Sequence, residues 1–243
     1  MNAPLADKLA YYLLKKVNKA IYDYQMIEDG DRVAVAVSGG PDSLSLLRLL
    51  QMRRRSVPTR YELIAVHVVD EGARDPDQRL RADLEAWFQA VGVEYTLEPM
   101  NVPPDEPRPL PCFRCTWYRR KALFLAADRL GCNKVAFGHH ADDVAETTLL
   151  NLLYHGRLET MEPRVEFFGG RFTVIRPLIY VPKKELARFA QASGFPPPPA
   201  PCPNSRTSKR ARMAELLREI ERDHPKAKMF LWRAVQRYKQ SEA

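Results

Sequence analysis

The sequence predicts an α/β fold, a parallel sheet with helices on both faces, and three observations carry that expectation. VAVAV (33–37) and ELIAVHVVD (62–70) are continuous apolar runs of strand length, as in strands buried on both faces. Such runs alternate with helical periodicity through residues 33–156, the pattern of successive β–α–β units. SGGPDS (38–43) stands where a strand passes into a helix. Open α/β sheets place ligands at such points, beyond the C-terminal ends of their strands.

The elements follow in order. Leu5, Leu9, Tyr12, Leu13, Val17, Ala20, Ile21 and Tyr24 recur at three-four spacing and predict an amphipathic helix over 5–26. MIEDGDR (26–32) is turn-like, and VAVAV is the first strand. LSLLRLLQM (44–52) is a helix, 62–70 the second strand, and 75–92 a helix stopped by Gly92. VEYTLEPM (93–100) is the third strand, followed by a proline-rich loop over 101–111. A helix over 115–131 ends at Gly131, KVAFGHH (134–140) is the fourth strand, and 141–156 a helix closed by Gly156. Residues 157–181 read as a loop and a hairpin around Phe168-Gly169-Gly170. PKKELARFAQASG (182–194) is a helix with proline in its first turn. The stiff stretch FPPPPAPCPNSR follows, and Met213, Leu216, Leu217 and Ile220 mark an amphipathic helix over 212–224.

Composition narrows the function classes. The chain has 243 residues, 45% of them hydrophobic, enough for a substantial core. No apolar run approaches the ~20 residues that span a bilayer, and the first twenty residues lack a signal-peptide core. A cytoplasmic protein without a membrane partner is the expectation. Basic residues exceed acidic ones by 38 to 30. That excess suits a polyanionic partner, or simply solubility. Four cysteines in a chain this long argue for metal, catalysis or packing over a disulfide framework.

In SGGPDS, Gly39 and Gly40 allow positive φ and close backbone approach, and Ser38 and Ser43 supply hydroxyls. Backbone N–H groups opening the following helix make an anion site. Asp142 and Asp143 open a later helix, where carboxylates suit Mg²⁺ or serve as caps. His139 and His140 read first as packing or hydrogen-bonding residues. CFRC (112–115) admits zinc, redox or cluster roles. Cys132, in the turn LGCNKV, reads as a small buried residue. Arg119, Arg120, Lys121, Arg206, Lys209, Arg210 and Arg212 are candidates for phosphate neutralisation. Trp117, Tyr118 and Trp232 are candidates for base stacking or for the core.

SGGPDS after VAVAV resembles the SGGxDS signature of the PP-loop, or N-type ATP pyrophosphatase, superfamily. GHHADDVAET (138–147) resembles the second signature of its tRNA-modifying branch. CFRC, the opening helix and IRPLIYVPKKELARFA (175–190) are similar to the tRNA 2-thiocytidine (TtcA) family, and CPNSR (202–206) resembles a segment of the related tRNA 2-thiouridine enzymes. The likeness covers nearly the whole chain. It implies ATP held by Ser38, Gly39, Gly40, Asp42 and Ser43, with His67 near the adenine, Gly138 and Asp143 across the nucleotide, and Mg²⁺ on Asp142 or Asp143. It implies a [4Fe–4S] cluster on Cys112, Cys115 and Cys202, and a catalytic set of Asp42, Asp143 and these three cysteines.

The implied reaction adenylates C2 of a cytidine in tRNA and replaces its oxygen by sulfur. The sulfur donor is desulfurase-derived or inorganic sulfide, and a homodimer is compatible. A 2-thiouridine product or another sulfur transfer to RNA, and a non-catalytic RNA- or nucleotide-binding protein with structural metal, remain alternatives. The implied organisation is a helix over 1–26, an ATP-binding domain over 27–194, and a C-terminal segment over 195–243 with the third cysteine and a basic helical tail. Two departures stand out. Pro41 replaces the family's usual lysine, which removes a phosphate contact for which Arg119 is the candidate replacement, and APCPNS holds one cysteine where a second is common.

Overall fold

The computed structural model describes residues 3–70, 78–199 and 208–242. Cys202 and Arg206 lie outside them. Helix α1 (Ala3–Asp23) leads into strand β1 (Arg32–Ala36), helix α2 (Pro41–Arg54) and strand β2 (Glu62–Val69). Helix α3 (Gln78–Val91), strand β3 (Glu94–Pro99), helix α4 (Cys112–Arg129), strand β4 (Lys134–Ala136) and helix α5 (Ala141–His155) follow. The chain then forms β5 (Arg164–Phe167), β6 (Phe172–Ile175), α6 (Lys183–Ser193), α7 (Lys209–Asp223) and α8 (Ala227–Glu242).

The strands form one six-stranded sheet in the order β3-β2-β1-β4-β6-β5. All neighbours are parallel except β5, which pairs antiparallel with β6 at the edge. From β1 the chain builds outward through β2 to β3, then returns to place β4 on the other side of β1. The sheet's topological switch point therefore lies between β1 and β4, where such folds open a crevice.

Alternation along β1 sorts its side chains between two cores. Val33 and Val35 join α1, α2, α3 and α6, whereas Ala34 meets Leu123, Ala126 and Ala127 of α4 on the opposite face. Helix α1 contributes Ala10, Leu13, Val17, Ala20 and Ile21 to the larger core, and Phe195 and Trp232 pack against the same core. Helices α7 and α8 lie against α5.

The structure revises three sequence expectations. Strand β4 stops at Ala136 rather than reaching residue 140, because the chain leaves the sheet to pass the first turn of α2. Helix α4 begins at Cys112, three residues early, because Pro111 takes the N-cap and its carbonyl accepts from Cys115 N–H at 3.0 Å. The expected basic helical tail is two helices, α7 and α8, of which the sequence delimited only the first. Of the aromatic candidates, Trp232 packs against the core and Tyr118 is buried, the core role that the sequence offered for both.

Phe88 is fully buried on α3, with ring centroids 5.1 Å from Tyr95 and 5.8 Å from Trp87. Phe88→Ala should therefore destabilise the protein by about 3–5 kcal/mol, measured as a lower urea midpoint with little change in m-value.

Candidate nucleotide and thiol site

The loop after β1 is organised by its two serines. Ser43 Oγ accepts from Ser38 N–H at 3.1 Å and donates to the Gly40 carbonyl at 2.9 Å. The two hydroxyls are 3.2 Å apart, and Gly40 N–H donates to Ser38 Oγ at 3.3 Å. Gly39 has φ +81°, a conformation glycine adopts without strain. Gly40 caps α2 in extended conformation without a side-chain partner, and Pro41 occupies the first turn. The helix thus presents backbone N–H groups at its positive end, the arrangement that receives an anion.

The second motif packs directly on the first. A Cβ built on Gly138 would sit 3.1 Å from Asp42 C, Ser43 Cα and Ser43 N. Only a glycine lets the chain leaving β4 pass this close to the start of α2. His140 then caps α5: its Nδ1 accepts from Asp143 N–H at 3.3 Å, and Asp143 Oδ2 accepts from His140 N–H at 2.8 Å. His140 Nε2 lies 3.6 Å from Asp42 Oδ2, which suits the neutral tautomer with its proton on Nε2. Burial opposes charging of this ring, but the carboxylates of Asp42, Asp143 and Asp142 outweigh it and raise its pKa.

The two aspartates of ADD part company. Asp142 is buried and accepts from Lys183 N–H at 2.7 Å and from Lys228 Nζ at 2.5 Å. Burial alone would raise its pKa; those two donors reverse the shift and lower it. Its two oxygens are taken by the first N–H of α6 and by the half-buried Lys228 ammonium, which Glu221 shares at 2.6 Å. Asp143 is more accessible and turns Oδ1 to Arg210 at 2.8 Å. Arg210 also reaches Glu146 at 3.1 Å.

His67 is buried in β2 with Nδ1 2.7 Å from the Val37 carbonyl. That bond pins the end of β1, and burial keeps the ring neutral by lowering its pKa. His139 stacks on Phe137 at 5.5 Å, and its Nδ1 accepts from Arg176 Nε at 3.3 Å. Burial, then the charges of Arg176, Arg210 and Arg120, push its pKa down to about 3. These arginines surround His139 with positive charge. Arg119 of α4 adds its charge from the His67 side.

Cys112 and Cys115 are one turn apart in α4, exposed and half-buried respectively. Between them Arg114 turns inward, donating to Glu106 at 2.7 Å and to the Tyr118 hydroxyl at 2.9 Å. Tyr118 in turn donates to Glu106 at 2.7 Å. This network ties the cysteine turn to the proline-rich loop, and Arg108 ties that loop to Asp70 beyond β2 at 3.1 Å. Pro199, three positions before Cys202, places its ring 3.4 Å from where a Gly39 Cβ would stand. Cys132 is buried among apolar side chains, which push its pKa up to about 11. It is a packing residue, as its turn suggested.

Glu106, Lys228 and Arg176 escaped the sequence reading because each works through partners distant in the chain. The described residues hold no group of three His, Cys, Asp or Glu side chains placed to bind a metal.

Gly138→Ala should cost about 1–3 kcal/mol, because the clashing atoms are backbone and cannot swing aside; chemical denaturation would read it. His139 gives a pH signature. The folded state resists a proton that the unfolded chain accepts below about 6.5, so the contribution of His139 is present above that pH and fades as pH falls towards 3. His139→Gln should flatten this part of the stability–pH curve.

Comparison with known proteins agrees with this geometry. A PP-loop domain family model matches residues 11–196. The tRNA-cytidine(32) 2-sulfurtransferase of Geobacter sulfurreducens is 40% identical over 238 residues, covering 94% of this chain and 91% of that protein. The enzyme of the same name from Syntrophotalea carbinolica is 42% identical over 228 residues, covering 90% and 86%. The solved U34-tRNA thiolase NcsA from Methanococcus maripaludis, with its [4Fe–4S] cluster, superposes with a TM-score of 0.79 at 24% identity. That superposition covers 96% of this chain and 79% of NcsA, and shows a shared fold. The chain belongs to the PP-loop family, among the proteins related to tRNA-cytidine(32) 2-sulfurtransferases.

Proposed function

We propose that this protein is a cytoplasmic, ATP-dependent tRNA sulfurtransferase that converts a cytidine to 2-thiocytidine. One juxtaposition carries the reading: a phosphate-type loop at the switch point lies under Pro199, which leads to Cys202, while α4 bears two more thiols in the same chain. Relatives bearing that activity in their names align along almost the whole length.

The geometry supports the following roles. Backbone N–H groups around Ser38, Gly39, Gly40 and Ser43 receive the ATP phosphates. Pro41 brings no cation and no N–H, so charge neutralisation falls to Arg119 and the arginines around His139. Asp42 and Asp143 are the carboxylates for Mg²⁺; Asp143 is held ready by its cap and by Arg210. His67 positions the loop from behind through Val37. The C2 oxygen of the bound cytidine attacks the α-phosphorus and pyrophosphate leaves. A sulfide-level nucleophile then adds at C2, and AMP departs with the original oxygen.

Cys112, Cys115 and Cys202 are the residues that would hold a [4Fe–4S] cluster. The donor set fits: two thiols share one helical turn, and soft thiolates favour iron–sulfur binding over hard cations. When bound on three thiolates, the cluster supplies one iron with an open position for sulfur.

Nucleoside mass spectrometry tests the assignment. tRNA from a strain lacking this chain should lack 2-thiocytidine, wild type should restore it, and Cys202→Ala should not. Restoration of 2-thiouridine instead would change the substrate, and no altered thionucleoside would defeat the sulfurtransferase reading.

A further inference from the structure

We propose that the outer face of α4 is a stacking platform for an unpaired base of the RNA substrate, formed by Phe113 and Trp117 and flanked by Arg120 and Lys121. The proposal rests on the RNA-modifying reading above and names a surface that reading leaves open.

Phe113 lies inside the CFRC turn yet is 76% exposed, and Trp117, one turn later on the same face, is 44% exposed. Phe113 is left largely in water, and Trp117, packed edge-on against Tyr118 at 4.9 Å, keeps a free outer face. The helix does have a buried side, and Tyr118 takes it at 3% exposure. Local packing therefore does not account for the outward pair.

The surroundings select the partner. Lys121 Nζ stands 5.3 Å from the Trp117 ring centroid and the Arg114 guanidinium 5.5 Å from it. Residues 112–121 carry four cations and no carboxylate. Glu106 matches Arg114, whereas among the described residues Arg119, Arg120 and Lys121 form no ion pair. A purely apolar protein partner would meet uncompensated charge here. A single-stranded nucleic acid offers both flat π faces for the rings and phosphates for the cations. Placed beside Cys112 and Cys115, the platform would steady a base next to the one being modified.

The test uses anaerobically reconstituted protein and a tRNA transcript. Phe113→Ala and Trp117→Ala should each weaken tRNA binding roughly tenfold, with iron content, cluster absorbance and ATP affinity unchanged. Phe113→Tyr should restore binding. Lys121→Ala should reduce the salt dependence of binding, and Trp117 fluorescence should be quenched by RNA. Unchanged tRNA affinity in both alanine variants would overturn the proposal. Joint loss of iron and tRNA binding would also overturn it, because the rings would then merely support the cysteine turn. Normal tRNA binding by the alanine variants, with wild type making 2-thiocytidine, defeats the platform alone; wild type that binds no tRNA removes the functional reading as well.

Discussion

The passage of Gly138 across the first turn of α2 governs the rest of the site. Three backbone atoms stand 3.1 Å from the position its Cβ would take. This contact joins the loop after β1 to the loop after β4, the two strands that border the sheet's switch point. With a side chain there, the first turn of α2 or the chain after β4 has to shift by a few tenths of an ångström. The anion site and the carboxylate-bearing helix therefore depend on one close approach.

Charge pairing extends this arrangement to the C-terminal helices. A buried carboxylate stripped of its partner costs about 3–5 kcal/mol, and Asp142 is buried with Lys228 of α8 on one oxygen. Its other oxygen receives the first N–H of α6. Asp143, its neighbour, takes Arg210 of α7 and keeps a more accessible position. Helices α6, α7 and α8 are thus tied through two adjacent carboxylates to the start of α5. The tail is part of the site's electrostatics as well as its packing.

Helix α4 divides its labour by face. Tyr118, Ala122, Leu123 and Ala126 bury against the sheet, and the Arg114–Glu106–Tyr118 network locks its first turn to the preceding loop. The Arg114 guanidinium and the Tyr118 hydroxyl hold the Glu106 carboxyl down at about 2, so the network stays charged at neutral pH. The two thiols thus stand at the start of a helix whose far side is anchored in the sheet's core.

Much of this was legible in the sequence because strands, helices and turn glycines are encoded by short-range periodicity and backbone preference. The alternation over 33–156 and the glycines of SGGPDS and GHH speak for themselves in that way. Helix α8 was not delimited within the expected helical tail because its apolar residues are interleaved with charges that find partners on α5, α7 and the 157–163 loop, as Lys228 and Lys239 do. CFRC announced two thiols but not that Arg114 turns inward while Phe113 turns out, which depends on where Glu106 arrives. The sequence could not rank Asp142 against Asp143, since both open the same helix and carry the same group. Only the tertiary structure separates them: Coulomb and hydrogen-bond energies fall steeply over a few ångströms, and those distances are set by segments 41 and 86 positions away.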